Sequence, residues 1–364
     1  MIIQRVKLLN WHNMEFAEFL LEKRMFFLSP GGSGQSECLD VFRFLHDLVS
    51  IGGGMQSAIS VRGGLAKLRG HYDPSIPQIG ITLDMQDEKT LASWTYHLAF
   101  TQESRGYRRP VITREEVWKN SQPLLIRPDP ADREDNERLT QTALEQACAN
   151  REFRDLAFYF DSIAYLHPIS GNLIPVSAFP DVVALTAPII RKNRLERISA
   201  ILGFLDPDIG NLHYQLDQPG QKTLNGSGGT LFIKDTAYPL TDVSKASLQL
   251  IVLLWWMLDN EFLLLLEEPE NYLDVPALSR LPSMMHRLQL TRKTGRQILI
   301  GTHSPDLLAD PALDVNEIVT LLPSPEGPAV LTGIGISDIQ HMLATGIGMT
   351  DDMTDDSMPM FKPS

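Results

Sequence analysis

The chain has 364 residues, 43 % of them hydrophobic, and a formal net charge of −13. That length accommodates one large or two moderate domains around a sizeable core, and the charge argues against a protein wrapped non-specifically around nucleic acid, which is normally basic. Two cysteines, Cys38 and Cys148, cannot supply a disulfide scaffold or a four-ligand metal site, and the longest apolar stretches, Leu250–Leu258 and Phe262–Leu266, fall short of the roughly 18 residues of a membrane span.

The N-terminus, MIIQRVKLLNW, holds polar residues and no small-residue cleavage site, so no secretory leader is expected and the chain reads as cytoplasmic. Two strands are expected near Ile2–Leu9 and Met25–Leu28, the second running into a Gly-rich turn. A helix follows the turn, with Cys38, Val41, Phe42, Leu45 and Leu48 on one face at spacings of three and four. A glycine-dense segment, IGGGMQSAISVRGGLAKLRG, leads to strands near Gln78–Met85 and Ser93–Gln102.

Residues 105–185 differ in character. Charge is dense, Pro123, Pro128 and Pro130 recur, and Arg133–Asp155 has helical character, so an inserted helical lobe is expected there. The basic clusters Arg105, Arg108, Arg109 and Arg191, Lys192, Arg194, Arg197 read as solvated surface rather than phosphate contacts. Beyond residue 185 come a β segment, GTLFIKD, a nearly all-apolar helix Leu248–Leu258, a buried strand Phe262–Leu266, a helix and a second buried strand Gln297–Ile300. Short all-apolar strands alternating with helices predict a parallel sheet covered on both faces. The last fourteen residues, with four aspartates and two prolines, are expected to form a disordered tail. The expected division is 1–104, 105–185, 186–350 and 351–364.

Three places carry chemistry. Ser29-Pro30-Gly31-Gly32-Ser33-Gly34-Gln35-Ser36 sits between strand and helix, where a phosphate-binding loop reads G-x-x-x-x-G-K-[ST]. Gly34 and Ser36 fit that pattern. Ser29 replaces the first glycine, and Gln35 replaces the lysine whose charge grips the phosphates. Taken alone, the loop suits an ordinary helix-capping turn equally well. The second place is Phe262-Leu263-Leu264-Leu265-Leu266-Glu267-Glu268-Pro269-Glu270. An apolar strand ending in two carboxylates suits a hydrolase: the first holds Mg²⁺ through its water shell, the second polarises the attacking water. The third, Gly301-Thr302-His303-Ser304-Pro305-Asp306, sets His303 at the carboxyl end of a parallel strand, where such sheets bind ligands.

In this order the three places resemble the ABC-ATPase superfamily, in particular its RecF/SMC-like branch with the OLD-related, AAA-labelled ATPases. The pairing LLLLEEPEN…THSPDLL is similar to that branch's Walker B and H-loop segments, over roughly residues 1–100 and 185–345. The resemblance implies an α/β ABC-ATPase head, a P-loop core with a parallel sheet plus an antiparallel β subdomain and an inserted helical lobe. It implies ATP and Mg²⁺ as cofactors, contacted by Gly31, Gly32, Ser33, Gly34, Gln35 and Ser36. Ser36 and Glu267 would serve the metal, Glu268 and His303 catalysis, and Asp274 in the D-loop would reach a dimer partner. The signature helix would begin at Ser244, with Ala246 where the family carries glycine; a methyl there obstructs close approach to a γ-phosphate.

The departures from pattern concern phosphate grip and leave the water-activating residues in place. Two readings follow: an ATPase switch that dimerises on ATP and hydrolyses slowly, or a pseudo-ATPase scaffold regulating a partner ATPase or effector. The resemblance implies homodimers or heterodimers through the heads, and a DNA-related or anti-phage setting by analogy alone. DNA contact gains no support from the net charge, and no membrane partner is expected.

Overall fold

The computed structural model describes residues 1–29, 34–69, 77–104, 106–166, 186–205, 212–216, 229–233, 236–239, 245–259, 263–271, 273–290, 296–322 and 328–345. The chain opens with a hairpin of β1 (Ile2–Trp11) and β2 (Met14–Leu20), followed by β3 (Arg24–Leu28), which leaves for a different sheet. β4 (Ile79–Gln86), β5 (Ser93–Gln102), β6 (Pro110–Lys119) and β7 (Gln122–Arg127) complete an antiparallel sheet in the order β2-β1-β4-β5-β6-β7. Alternation drives it: Ile79, Ile81, Leu83 and Met85 of β4 are buried in turn while Thr82 and Asp84 face outward.

The second sheet has the order β15-β14-β3-β13-β12-β8. It comprises β3, β8 (Ala164–Leu166), β12 (Leu264–Glu267), β13 (Ile298–Thr302), β14 (Ile318–Leu322) and β15 (Ala329–Thr332). All its pairings are parallel except β14 with β15. Its strands are apolar on both faces because both are covered. Phe27, Leu265, Leu299 and Val319 point into a core shared with the antiparallel sheet and helix α1 (Gln35–Val49). Phe26, Leu264, Leu266 and Ile300 point into a second core, built with α4 (Pro188–Leu205), α5 (Lys245–Asp259) and α6 (Leu281–Leu290). Within α5 residues 250–255 are buried without a break, the pattern of a helix enclosed on all sides. α2 (Met55–Val61), α3 (Arg154–Asp161), α7 (Ile336–Thr345) and a three-stranded sheet of β9 (Leu212–Leu216), β10 (Gly229–Ile233) and β11 (Thr236–Pro239) complete the described elements. No helix among the described residues is long and apolar enough to cross a membrane.

The parallel core with an antiparallel β subdomain is the expected architecture. The inserted segment is different in its first part. Residues 110–127 form the β6–β7 hairpin, and helix begins only at the short turn Pro130–Glu134. Charge density hid the strands, because one of the charges points inward. Glu115, fully buried, accepts hydrogen bonds from Arg127 (2.9 Å) and from the Ala143 and Leu144 amides (2.8 and 3.2 Å). Arg127 also grips Asp132 through two bonds, at 2.9 and 3.0 Å. This buried network pins residues 127–145 onto the sheet, ahead of α3, which packs against α1. The acidic tail 351–364 lies outside the described residues.

Removing one partner from such a network leaves a buried, uncompensated charge. Arg127→Met is therefore expected to lower stability by about 3–5 kcal/mol, read as a lower urea midpoint with unchanged slope; a loss under about 1 kcal/mol would assign the network a minor role.

Candidate functional site

β12, β13 and β3 run parallel in a shared register: Gly301 lies opposite both Glu267 and Phe27, and Thr302 opposite Leu28. Their carboxyl ends meet the start of α1. Gly34 caps that helix with φ 102°, a left-handed conformation that glycine adopts without steric cost. Gly301 lets the helix approach the sheet: a Cβ there would come within 3.0 Å of Leu39. These two features bring residues 35 and 36 of the helix onto the strand ends.

Gln35 is buried and its Nε2 lies 2.7 Å from His303 Nε2. The other imidazole nitrogen, Nδ1, faces the Ser29 carbonyl at 2.8 Å. A carbonyl only accepts, so Nδ1 carries the proton, and in the neutral ring Nε2 accepts from the Gln35 amide. The Gln35 carbonyl oxygen is then buried without a hydrogen-bond partner among the described residues. Glu268 Oε1 lies 3.5 Å from the same His303 Nε2. Glu268 has φ 48°, an unusual conformation for a residue with a side chain. Its backbone N–H donates to Gly301 O at 2.8 Å and its Oε2 accepts from Asn271 at 2.6 Å, which together hold the carboxylate beside the histidine.

Glu267 is the most enclosed of the three glutamates at this edge. Ser36 Oγ donates to its Oε1, and the phenol of Tyr165, on β8, donates to its Oε2. The hydroxyl and carboxylate expected to serve a metal are thus already paired. Glu270, which the motif reading passed over, accepts from the His303 backbone N–H at 2.7 Å with one oxygen and from Thr302 Oγ1 at 2.8 Å with the other. It fixes the loop carrying the histidine.

Asp274 is exposed and caps the short helix Val275–Leu278, accepting from Ala277 N–H at 3.0 Å; within one chain it plays a local structural part. Gly31, Gly32, Ser33 and Ser244 lie outside the described residues, and Ala246 falls in the first turn of α5. Ser36 borders a cavity of about 400 Å³ lined by His12, Glu37, Asp40, Arg43 and Arg62. Arg62 there grips Asp40 at 2.7 and 2.9 Å. Burial raises the Asp40 carboxyl, but the bonds from His12 and Arg62 outweigh it and hold it below its ordinary value.

The donor set fits Mg²⁺, a hard ion that takes one or two carboxylates, a hydroxyl, waters and phosphate oxygens. The fit to a phosphate chain is less complete. Gln35 has no charge, one of its amide hydrogens is committed to His303, and its buried carbonyl oxygen can only accept, so it offers nothing to a phosphate.

A family model described as "AAA domain, putative AbiEii toxin, Type IV TA system" matches residues 30–309. No curated protein matches the chain. Among solved structures the chain is similar to an SMC head bound to the C-winged helix domain of ScpA, with TM-score 0.54 and 12 % identity over 94 % of this chain and 100 % of that one. It is similar also to the SMC head domain from Thermotoga maritima, with TM-score 0.50 and 11 % identity over 91 % and 99 % of the two chains. At such identities the likeness speaks for the fold.

Glu270→Ala removes two hydrogen bonds to a charged acceptor. It is expected to cost about 2 kcal/mol or more in urea unfolding, with Glu270→Gln losing less because the amide carbonyl still accepts. A Glu270→Gln variant as stable as the native chain would show that the side chain's bulk, and not its second acceptor oxygen, holds the loop.

Proposed function

The chain belongs to this AAA-domain family, and on that premise we propose that it is an ATP-binding subunit of the RecF/SMC-like ABC type that hydrolyses ATP slowly and uses nucleotide to pair two heads. The observation that carries the reading is the juxtaposition of Ser36–Glu267 with Glu268–His303 at the carboxyl ends of three parallel strands, where such folds bind ligands. Bound there, Mg²⁺ would neutralise charge on the phosphate oxygens. Ser36 and Glu267 would hold it. Glu268 presents an acceptor for the proton of an attacking water, and His303 sits alongside to orient that water.

Gln35 sets the rate limit in this reading. Without an ammonium group at position 35 the phosphates lose a charge-assisted contact in both ground and transition states. A pseudo-ATPase scaffold is the second reading, favoured by the Gln35–His303 bond, which ties up the amide and the histidine together. A partner ATPase with an intact loop could supply the missing grip in a heterodimer, and the partner is proposed to be such a protein or a separate effector. A DNA-related or anti-phage role stays with the family analogy.

Turnover of ATP by the purified chain, Glu268→Gln and Gln35→Lys separates the two readings. The slow-ATPase reading expects weak turnover that disappears in Glu268→Gln. A lysine at position 35 is expected to tighten nucleotide binding by about tenfold to a hundredfold, the worth of one charge-assisted hydrogen bond. No turnover in the native chain, with activity appearing in Gln35→Lys, would favour the scaffold.

A further inference from the structure

We propose that Tyr165 is a positioning residue that makes the Ser36–Glu267 pair prefer Mg²⁺ over the larger Ca²⁺, by holding one of the two Glu267 oxygens away from the ion. The inference rests on reading that pair as the metal site.

Tyr165 reaches Glu267 through sheet order. β8 pairs in parallel with β12, with Tyr165 opposite Leu265 and Leu166 opposite Leu266. Its hydroxyl donates to Glu267 Oε2, the oxygen that Ser36 does not use. The ring is braced from the other side: the Arg43 guanidinium lies 4.0 Å from its centroid. Arg43 stands seven residues after Ser36 in α1, close to two full turns, so one helix face carries both the hydroxyl for the ion and the clamp on the tyrosine. The phenol's single O–H is the donor in this bond.

Ser36 can turn an oxygen lone pair toward an ion while its O–H still donates to Glu267 Oε1, whose remaining lone pair can face the ion or its water. Oε2 stays held by Tyr165. Glu267 therefore offers a single oxygen. One-oxygen ligation with retained waters suits Mg²⁺, which demands near-octahedral geometry, whereas Ca²⁺ takes more ligands and readily accepts a carboxylate through both oxygens. Releasing Oε2 opens the two-oxygen mode and favours the larger ion.

Tyr165→Phe removes the hydroxyl and keeps the ring under Arg43. The full chain with ADP is titrated with MgCl₂ or CaCl₂, and the rise in thermal unfolding midpoint is read against cation concentration. The native chain is expected to saturate at lower Mg²⁺ than Ca²⁺, and Tyr165→Phe to shrink that preference about tenfold, the usual effect of losing a partner behind a metal ligand. Glu267→Gln should weaken the response to both ions. Should Tyr165→Phe not fold, Arg43→Met, which slackens the ring and leaves the hydroxyl, should move the preference the same way by less. An unchanged preference in these variants overturns the role of Tyr165 and leaves the ATPase reading standing. A native chain stabilised by neither cation overturns both.

Discussion

The parallel register of β3, β13 and β12 is the constraint on which the site depends. It sets Gly301 level with Glu267 on one side and with Phe27 on the other, so that His303, Glu268 and the first turn of α1 share one edge. A slip of a single residue would send every side chain of a strand to the opposite face. Leu264 and Leu266 would exchange cores with Leu265, and Glu267 would turn into the hydrocarbon interior. Burial on both faces therefore fixes the register, and the register places the carboxylates. The two cores are the means by which apolar sequence specifies polar geometry.

Within that edge, hydrogen bonds among the site's own side chains take the place of a phosphate-gripping cation. Ser36, Glu267 and Tyr165 form one chain; Gln35, His303 and Ser29 form another; Glu270 ties the backbone between them. Glu267, Glu268 and Glu270 lie at an edge whose residue 35 is a neutral glutamine, so a divalent cation would be the natural counter-charge. Nucleotide phosphates must compete with the Gln35–His303 bond, a net cost of about 1 kcal/mol, and gain no ammonium contact in return. In the proposed reading the water-activating residues are in place while the phosphate grip is weakened, an imbalance that would give slow turnover.

How much of this was legible in the sequence differs by element. α1, β12 and β13 were readable because their periodicity or continuous apolar run is local, and Glu267, Glu268 and His303 because they abut those runs. β2 was missed: its turn at His12 and Asn13 carries no glycine or proline, although His12 adopts a positive φ of 49°. The β6–β7 hairpin reads as part of a helical lobe because Arg114, Glu115 and Glu116 break the alternation, and nothing local says that Glu115 is matched by Arg127. Tyr165 lies far in sequence from Glu267, and only the β8–β12 pairing joins them. Glu270 was visible in EEPEN, but its grip on Thr302 and His303 depends on the loop after β13. The resemblance implies an intermolecular part for Asp274, and within the chain it caps a helix turn.

The most direct test is an equilibrium titration of the full chain with a non-hydrolysable ATP analogue, in Mg²⁺ and again in EDTA. Weak binding that requires Mg²⁺ and disappears in Ser36→Ala is the expected result, because the hydroxyl–carboxylate pair supplies the grip that Gln35 does not. Binding of equal strength in EDTA, or none at millimolar nucleotide, would contradict the assignment of this edge as a nucleotide and metal site.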